Sequence, residues 1–567
     1  MKRKIIFGGD LPNKVKKEFR RYPNILSELL FYRDLNTFTE AENFLNSDYE
    51  KENADPFLMK GMKLAVERIL LAIKKNQKVM IYSDYDADGI PGAVILSDFF
   101  KKIGFLNFQN YIPSRLKEGY GLNLQAIKKF ASEKVDVLIT IDCGISNVSE
   151  VKYATQNGID VIITDHHLVN GKVPPAFAIL DSKQEDDNYP DDMLCGAGVV
   201  YKLIQALIQK GSFDLIEGWE KWLLDMVGLA TIADMVPLKN ENRVFAKYGL
   251  FVMRKSPRLG LMKLLRKMGS NQQHLVEDDI SFMIAPRINA ASRVSDPRIA
   301  FDLLSTEDEV SADNLAGELH KLNNKRKTMV AVAVRQAKRK IKDRGQKNVI
   351  VIGHSDWNLG LSGLIASSLK NEYQKPCFVW GTNENGNYCG SCRSDNIDLV
   401  ELMTFVENGF FSHFGGHKRA GGFEVVPEQI HFFEDRILKA FEKIENKEDL
   451  EEIFVDKKLL IDDISWENYK IIEKLAPFGV GNPKPLFLFE NITILGVKVF
   501  GKAKNHLELV FQNSKRGKIK AVDFFSNYIK DGKVNFKISE KIKFLANFEK
   551  NTYLGTNELR LKIVEII

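Results

Sequence analysis

The chain has 567 residues, of which 44% are hydrophobic and 28% are charged, and its formal net charge is +6 at pH 7. This length predicts roughly three or four domains, the apolar content excludes a disordered chain, and no apolar window is long enough to predict a membrane span. Only five residues are cysteines, which excludes a disulfide framework and, with no secretory signal expected at the basic start, predicts a cytoplasmic protein.

Short apolar runs that lead into acidic residues begin near residue 78. The four runs are Val79–Tyr82 before Asp84, Val137–Ile141 before Asp142, Val161–Thr164 before Asp165 and Phe177–Leu180 before Asp181. Continuous runs of this length predict strands that are buried on both faces of a parallel sheet, with helical stretches such as Ala93–Ile103 between them. We therefore predict an α/β domain over residues 51–250. The sequence does not indicate a role for the N-terminal segment, residues 1–50.

Three further regions follow this domain. Residues 251–345 predict a helical connector that ends in a long, charged helix without proline over residues 305–345. Residues 346–445 predict a smaller α/β domain with glycine-dense loops around Gly390 and over residues 415–422. Residues 450–567 predict a small β-barrel built from short alternating strands. The predicted strands of this barrel are Ile492–Val499, Leu507–Phe511, Ile519–Phe524 and Ile542–Phe548.

The C-terminal region is the basic part of the chain. Residues 498–567 contain 15 Lys and Arg against 7 Asp and Glu, a balance of +8, so the other residues sum to −2. The predicted barrel also contains Phe487, Phe489, Phe500, Phe511, Phe524 and Phe525. Cations among aromatic rings suit contacts to a nucleic-acid backbone and stacking of bases. The alternatives are a solubilising surface for the cations and a core position for each phenylalanine.

An acidic cluster is the strongest chemical feature of the sequence. Its members are Asp84, Asp86, Asp88, Asp142, Asp165, His166, His167 and Asp234. The first three stand at alternate positions after a buried strand and would repel one another without a cation between them. The next four follow two later strands, and the last ends the apolar run Met226–Ala233. Carboxylates with imidazoles suit Mn²⁺ or Mg²⁺, and the histidines favour Mn²⁺. The alternative is that each aspartate caps the helix after its strand.

These residues stand in motifs that resemble those of the DHH phosphoesterase superfamily. The motifs are Asp84-Tyr85-Asp86-Ala87-Asp88-Gly89, Asp142-Cys143-Gly144, Asp165-His166-His167 and Asp234. Three later segments resemble motifs of the bacterial RecJ single-strand-specific exonucleases and of their DHH-associated domain. They are Ala285–Arg293, Trp357–Ala366 and Phe414–Phe423. The resemblance extends in order from about residue 50 to the C-terminus. It departs from the family at Tyr82, where some members carry a histidine, and at Ser292, where a glycine is common.

The resemblance implies a fold and a metal centre. The implied fold is α/β, with a parallel-sheet DHH domain, a long connecting helix, a smaller α/β DHH-associated domain and a C-terminal OB-type β-barrel. Two ions, Mn²⁺ or Mg²⁺, are expected, with Asp142 between them and Asp165 orienting a histidine. The implied metal ligands are Asp84, Asp86, Asp88, Asp142, His166 and Asp234. The implied catalytic residues are Asp142, His166, His167 and His417.

The resemblance also implies a substrate site in and near the second α/β domain. Its expected members are Arg115, Arg287, Asn289, Arg293, Ser391, Arg393, Gly415, Gly416 and His417. Ser391 and Arg393 are expected to read a terminal 5′-phosphate, because a hydroxyl and a planar guanidinium both suit phosphate oxygens. The Gly-Gly-His segment is expected to face the metals and to offer backbone N–H groups to an anion. For each single arginine, the alternative is a surface salt bridge.

The implied activity is a metal-dependent exonuclease that digests single-stranded DNA from the 5′ end and releases 5′-mononucleotides, in DNA repair and recombination. The expected partners are single-stranded DNA, a single-strand-binding protein and a helicase, and we expect a monomer. One alternative is a DHH phosphodiesterase for very short oligonucleotides or cyclic dinucleotides. Another is a non-catalytic replication scaffold that has lost its metals. The intact acidic cluster argues against the scaffold, and the basic barrel argues against the enzyme for short substrates.

Overall fold

The computed structural model describes residues 4–169, 171–345, 347–444, 452–501, 504–530, 533–551 and 557–567. Within these ranges the chain forms three larger sheets, each with its own core, and a helical region between the first two sheets. No helix among the described residues has the length and apolar character needed to cross a membrane.

The first α/β unit is built around a parallel sheet. Its elements are α5 (Met62–Lys74), β2 (Val79–Ser83), α6 (Gly89–Lys102), β3 (Phe108–Tyr111), α7 (Leu124–Ser132), β4 (Val137–Ile141), α8 (Val148–Gln156), β5 (Asp160–Thr164), β6 (Ala178–Leu180), α9 (Gly196–Lys210), α10 (Leu224–Ala233) and α11 (Asn240–Met253); β1 (Lys4–Phe7), α1 (Asn13–Glu18), α2 (Asn24–Phe31), α3 (Phe38–Leu45) and α4 (Tyr49–Glu52) precede them. The strand order is β3-β2-β4-β5-β6, and all pairs are parallel.

The four predicted strands of this sheet are confirmed, and a fifth was missed. Every residue of β2 and β4 is buried, as the apolar runs predict for strands with helices on both faces. The missed strand is β3, an edge strand whose partly exposed residues include Gln109 and Asn110. An edge strand faces solvent along one side, so its sequence lacks the apolar run that identified the others. The apolar run that ends at Asp234 is the helix α10 and not a further strand.

The helical connector carries the predicted long helix. Its elements are α12 (Leu259–Met268), α13 (Glu277–Asp279), a π-helical turn at Ile280–Ile284, α14 (Ala285–Val294), α15 (Arg298–Ser305) and α16 (Glu309–Arg344). The helix α16 has 36 residues, a length of about 54 Å at 1.5 Å per residue. Leu319 near its start packs in the core of the first unit, whereas Ala333 and Ala337 pack in the core of the second. This one helix therefore joins the two α/β units.

The second α/β unit contains a mixed sheet. Its elements are β7 (Ile350–Gly353), α17 (Ser362–Tyr373), β8 (Cys377–Thr382), β9 (Tyr388–Arg393), α18 (Leu399–Thr404), β10 (Phe411–His417), β11 (Ala420–Val425) and α19 (Phe433–Phe441), with the strand order β10-β11-β9-β8-β7. The two glycine-dense segments are strands, so their prediction as loops is wrong. Gly415 pairs with Gly422 and Gly416 with Gly421, because strands pair here through backbone groups that need no side chain.

The C-terminal module is a seven-stranded sheet around one core. Its elements are β12 (Glu452–Val455), β13 (Lys457–Lys458), α20 (Trp466–Glu473), β14 (Phe487–Thr493), β15 (Gly496–Phe500), β16 (His506–Gln512), β17 (Lys518–Asp523), β18 (Ile529–Lys530), β19 (Lys533–Val534), β20 (Lys541–Asn551) and β21 (Glu558–Ile566). The strand order of its main sheet is β13-β14-β20-β21-β17-β16-β15. The predicted strand Ile492–Val499 is wrong, because the chain breaks at Ile494 and Leu495 into β14 and β15, and β21 was missed.

The N-terminal segment belongs to the core of this C-terminal module. Phe19 and Leu30 are buried in the same apolar cluster as Phe487 and Leu507. The strand β1 pairs in parallel with β12, and the Arg33 Nε donates a hydrogen bond of 2.7 Å to the Asn482 side chain. The two ends of the chain therefore fold together, although several hundred residues separate them in sequence.

Candidate metal centre

The acidic cluster forms at one edge of the parallel sheet, where the strands β2, β4 and β5 end. Asp84 follows β2, Asp142 follows β4, and Asp165 follows β5. The carboxyl ends of parallel strands form the ligand crevice of such a sheet. Asp142 has a φ of +59°, a left-handed conformation that costs a non-glycine residue about 1–3 kcal/mol. Such strain persists only where the surrounding structure holds the residue in place.

The side chains of the cluster form three groups whose ligand atoms lie within 4.8 Å of one another. The groups are Asp84, Asp86 and Asp142; Asp142, His166 and His167; and Asp88, His166 and Asp234. Two residues connect them. The His166 Nε2 lies 3.1 Å from an Asp142 oxygen, 3.7 Å from Asp88 and 3.8 Å from Asp234. Asp142 is shared by the first and second groups, which agrees with its predicted place between two ions.

Burial and mutual repulsion act against the charged form of these carboxyls. Desolvation, followed by repulsion from Asp86, raises the pKa of Asp84 well above its usual value and that of Asp88 to about 7. Desolvation and the charges of the other aspartates raise the pKa of Asp142 strongly, and that of Asp234 to about 8. Several buried carboxylates without a cation are costly.

The two histidines differ in their protonation. Burial, and then repulsion from His167, lowers the pKa of His166 to about 3, which keeps its ring neutral and its Nε2 available as a metal ligand. Burial alone would lower the pKa of His167 as well. The hydrogen bond to Asp165 and the charge of that carboxylate outweigh burial and raise the pKa of His167 to about 9.

The donor set fits divalent cations. Asp84, Asp88 and Asp142 are at most 5% exposed, and the Asp84 Oδ1 is buried without any hydrogen-bond partner in the described structure. A buried carboxylate oxygen without a partner is rare and calls for an ion or an ordered water. Oxygen ligands with one or two imidazole nitrogens match the preference of Mn²⁺ and Mg²⁺.

Both carboxylate oxygens of Asp165 have hydrogen-bond partners within the protein. Its Oδ1 lies 2.7 Å from the His167 Nδ1 and accepts the N–H of His166 at 2.8 Å, and its Oδ2 accepts the N–H of Ile145 at 3.0 Å. Although burial opposes it, hydrogen bonding to His167 lowers the pKa of Asp165. These contacts agree with the prediction that Asp165 orients a histidine. Tyr120, which sequence reasoning missed, donates a hydrogen bond of 3.1 Å to the Asp142 carbonyl and contacts His167.

The start of α9 holds Asp88 in place. The N–H groups of Gly196 and Ala197 donate to the two Asp88 oxygens at 2.6 and 2.7 Å. A Cβ on Gly196 would lie 2.6 Å from the Asp142 Cβ, which explains why a glycine begins this helix. The positive end of the helix dipole also favours a carboxylate here. No local pattern relates residue 196 to residue 88, so the sequence did not predict this contact.

Tyr82, at which the sequence departs from the family, does not reach the metal cluster. Its side chain is fully buried on the other face of the sheet, where its ring packs against Tyr111 and Phe130. Its hydroxyl donates a hydrogen bond of 2.7 Å to the Gly121 carbonyl. Asp181, the fourth acidic residue after a strand, accepts the N–H of Lys183 and belongs to none of the three groups found among the described residues.

Cationic residues lie beside the metal cluster. The Arg115 Cζ is 5.1 Å from the centre of the Tyr85 ring. The Asn289 Oδ1 accepts the N–H of Ala87 at 2.8 Å, which ties α14 to the loop of the first metal motif. Burial, then repulsion from Arg115 and Arg326, lowers the pKa of Arg293 to about 9. Arginines that are buried together repel one another and thereby favour an anion between them.

The second α/β unit contributes to the same cationic region. Ser391 lies on β9, and its Oγ is 2.9 Å from the Ser362 Oγ at the start of α17. Burial, then repulsion from Arg115, lowers the pKa of Arg393. Electrostatic interaction thus links the predicted residues Arg115, Arg293 and Arg393, whereas Asn289 and Ser391 make their hydrogen bonds to Ala87 and Ser362. Ser362 and Arg326 were missed, because neither stands in a motif of recognisable chemistry.

His417 is not joined to this cluster. It is the last residue of β10, where it is exposed, and it pairs with Ala420 across the hairpin. Gly415 and Gly416 belong to the same strand and do not form a loop around an anion. Among the described residues, His417 belongs to none of the three groups of possible metal ligands. Its catalytic role therefore stays a prediction.

The six phenylalanines named in the sequence analysis divide between the core and the surface of the C-terminal module. Phe487, Phe489 and Phe511 are fully buried. The other three surround His506, whose ring centre lies 5.2 Å from Phe500, 5.5 Å from Phe524 and 4.8 Å from Phe525. Phe525 is 74% exposed. The second set of rings offers a surface on which bases can stack.

Three family models match the chain in order. Residues 78–231 match the N-terminal domain of the DHH family, residues 345–443 match the DHHA1 domain, and residues 455–565 match the RecJ OB domain. These ranges coincide with the first α/β unit, the second α/β unit and the C-terminal module. The fold is therefore α/β with a long connecting helix and a C-terminal OB domain.

Known proteins resemble the chain over most of its length. It is 35% identical over 512 residues to a single-stranded-DNA-specific exonuclease RecJ of Bacillus subtilis, covering 90% of this chain and 64% of the relative. It is 30% identical to the RecJ of Haemophilus influenzae, covering 82% and 84%. A crystal structure of RecJ from Thermus thermophilus in complex with Mn²⁺ has the same fold, with a TM-score of 0.80 at 24% identity, covering 100% of this chain and 79% of that one. The chain belongs to the RecJ family of single-stranded-DNA-specific exonucleases.

Proposed function

We propose that this protein is a metal-dependent exonuclease that hydrolyses single-stranded DNA in the 5′ to 3′ direction and releases 5′-mononucleotides. The observation that carries the proposal is the buried group of carboxylates around His166, with an unpaired oxygen on Asp84. Such a group binds cations, and the neighbouring arginines suit the phosphates of a nucleic acid. The names of the relatives supply the substrate class and the activity.

Two ions, Mn²⁺ or Mg²⁺, are the proposed cofactors, and the solved Thermus relative contains Mn²⁺. When bound, such a pair supplies a nucleophilic hydroxide and neutralises the charge of the reacting phosphate. Asp142 is the proposed bridging ligand. Asp84 and Asp86 complete one group, and Asp88, His166 and Asp234 complete the other.

Two further residues act on the phosphate in this proposal. His167, which Asp165 orients and keeps protonated, donates a hydrogen bond to a phosphate oxygen next to the metal centre. Arg115 and Arg293 neutralise the phosphate that follows along the strand. None of these steps needs a covalent intermediate on the protein.

The direction of digestion follows from the part of the cationic region that binds the end of the DNA chain. Ser391 and Arg393 are proposed to bind the terminal 5′-phosphate, since a hydroxyl beside a guanidinium binds phosphate oxygens well. A site that recognises the chain end and lies beside the metals favours removal of one nucleotide at a time. His417, Gly415 and Gly416 are proposed to contact the same substrate when it is bound.

End-labelled single-stranded DNA tests this proposal. With Mn²⁺ or Mg²⁺, a 5′ label should appear early in a mononucleotide, whereas a 3′ label should stay in long products. The Asp142→Ala variant should bind the strand and release nothing. Early release from the 3′ end, cleavage without a divalent ion, or full activity of Asp142→Ala would each contradict the proposal.

The proposed setting is DNA repair and recombination in the cytoplasm, with a single-strand-binding protein and a helicase as partners and the enzyme as a monomer. All five cysteines are free, which suits a reducing compartment. We also propose the domain division at residues 51–250, 251–345, 346–445 and 450–567. The described part of the N-terminal segment packs on the last of these, and the segment is proposed to act with it in binding nucleic acid.

A further inference from the structure

The middle of α16 differs from its two ends. The buried residues on this helix are Ala312, Ala316, Leu319, Asn323, Ala333, Ala337 and Ile341. Ala316 and Leu319 pack in the core of the first unit, and the last three pack in the core of the second. Between Leu319 and Ala333, the single buried residue is Asn323, whose side chain is polar. The helix therefore crosses from one unit to the other on a polar stretch.

Several buried polar atoms of this stretch have no hydrogen-bond partner among the described residues. Asn323 is 1% exposed, and both its Oδ1 and its Nδ2 are buried without a hydrogen bond in the described structure. The same holds for the His320 Nδ1 and the Arg326 Nε, which lie one turn away on either side. On the facing helix α14, the Arg287 Nε is also unpaired, whereas its Nη1 donates to the Met283 carbonyl.

Unpaired buried polar atoms are rarely found so close together in one part of a protein. An amide that is buried without hydrogen bonds costs about 1–3 kcal/mol, and each unpaired buried polar atom in a native structure calls for an explanation such as a ligand, an ion or an ordered water.

The charges of this region are also uncompensated. No ion pair involves Arg287, Arg326 or Lys327 among the residues that the structure describes, although α14 packs on α16 and the charge of Lys327 interacts with those of the two arginines. Burial, then repulsion from Arg326, lowers the pKa of Arg287, and burial alone lowers that of Arg326. His320 interacts unfavourably with Arg287 and Lys327 as well. An anion placed here would remove the repulsion and supply the missing hydrogen-bond acceptors.

We propose that Arg287, His320, Asn323 and Arg326 form a subsite for one internal phosphate of the single-stranded substrate. The inference rests on the proposed function, because the occupant is the backbone of the same DNA strand. Repulsion between Arg326 and Arg293 shows that the subsite adjoins the cationic region beside the metal centre. A strand whose 5′-phosphate is held by Ser391 and Arg393 therefore places a later phosphate on α16. The guanidinium of Arg326 and the amide N–H of Asn323 donate to its oxygens.

Binding of DNA without metal tests the subsite separately from cleavage. The probe is a 5′-phosphorylated thymidine 12-mer with a 3′ fluorophore, titrated in EDTA at several salt concentrations. Arg326→Gln should weaken binding about tenfold and lower the slope of log K against log salt by about 0.7, the value for one phosphate contact of a single strand. The matched control is Arg335→Gln, an exposed arginine on the same helix, which should bind as the wild type does. Equal affinity and slope for the two variants would overturn the inference.

Methylphosphonate substitution locates the phosphate. Neutralising one phosphate at a time should reveal a position at which the wild type loses affinity and Arg326→Gln does not. The remaining positions should matter equally to both proteins. If every position weakens both proteins by the same factor, Arg326 contacts no phosphate and the inference fails.

Stability supplies an independent readout. Asn323→Leu removes an unpaired amide and keeps the side-chain volume, so the melting temperature of the free protein should rise while the affinity for DNA falls. A lower melting temperature with unchanged DNA affinity would show that Asn323 is structural and would contradict the subsite. If the wild type itself neither binds nor digests the strand, the proposed function fails. If the wild type does both and Arg326→Gln matches it, the subsite alone fails.

Discussion

Gly196 is expected to control the geometry of the metal centre, although it carries no functional group. A Cβ at this position would lie 2.6 Å from the Asp142 Cβ, 3.0 Å from its Cα and 3.2 Å from its Cγ. Carbon atoms prefer separations of about 3.5–4.0 Å, so Gly196→Ala must move α9 and Asp142 apart by about 1 Å. The movement also lengthens the hydrogen bonds from the start of α9 to Asp88.

Gly196→Ala is expected to lower the rate of catalysis more than the stability of the protein. A displacement of about 1 Å at a reacting centre lowers the rate by roughly 100-fold, whereas overpacking destabilises a protein by about 1–3 kcal/mol. The measurements are kcat on single-stranded DNA at saturating Mn²⁺, the affinity for Mn²⁺ by calorimetry, and the melting temperature. We expect weaker Mn²⁺ binding and a large loss of kcat in a protein that is still folded.

Gly198→Ala is the matched control. This glycine lies on the same helix two residues further, and its Cβ would meet Leu194 at 3.5 Å, an ordinary contact. Alanine is the better helix former by about 1 kcal/mol, so this variant should be fully active and slightly more stable. If Gly196→Ala retained wild-type kcat and Mn²⁺ affinity, Asp142 and Asp88 would not be held by α9, and the reasoning would be refuted.

Three further predictions concern the same centre and the two ends of the chain. Without metal, the pKa values of Asp88 and Asp234 are raised to about 7 and 8, against 3.8 for a free carboxyl. The folded protein therefore binds more protons than the unfolded chain at intermediate pH. The contribution of these two groups to the free energy of unfolding is fully present below about pH 4 and is lost as the pH rises through 7 to 8. The melting temperature in EDTA should accordingly fall between about pH 5 and pH 8, and that of the Mn²⁺-saturated protein should fall less; parallel profiles would contradict this. Asp142→Asn should raise the melting temperature of the metal-free protein at about pH 8, because it removes one of several buried carboxyls that repel one another, and should abolish digestion. An unchanged melting temperature would show that repulsion in the cluster is weak. Leu30→Ala should destabilise the C-terminal module by about 2–5 kcal/mol, which is measured as faster hydrogen exchange in β16. In the control Leu64→Ala, the replaced side chain is exposed, and the stability should change by less than about 0.5 kcal/mol. Equal exchange rates in the two variants would show that the chain ends fold separately.

Several features were predictable because they depend on local sequence. Apolar runs predicted β2, β4 and β5, and the aspartates directly after them had to meet at one sheet edge, because parallel strands end on the same side. The long charged helix was predicted as α16 for a similar reason, since its helical pattern and lack of proline are local properties. The family motifs were also local, and they indicated the metal and the substrate class.

Other features depended on contacts between residues that are far apart in sequence. The pairing of Asp88 with the start of α9, the position of Asp234 after a helix, and the hairpin that exposes His417 follow from how helices and strands pack. The shared core of the N-terminal segment and the C-terminal module, which includes Leu30, has the same origin.

The polar stretch of α16 shows most directly the difference between what local sequence determines and what tertiary packing decides. The sequence predicted the helix over these residues, because helical propensity and a charged surface are properties of neighbouring residues. It did not predict that Asn323 would be buried without partners, because burial is decided by which other helix covers a residue. Local sequence therefore determined the elements and the chemistry at the strand ends, whereas packing between distant segments decided which side chains share a site.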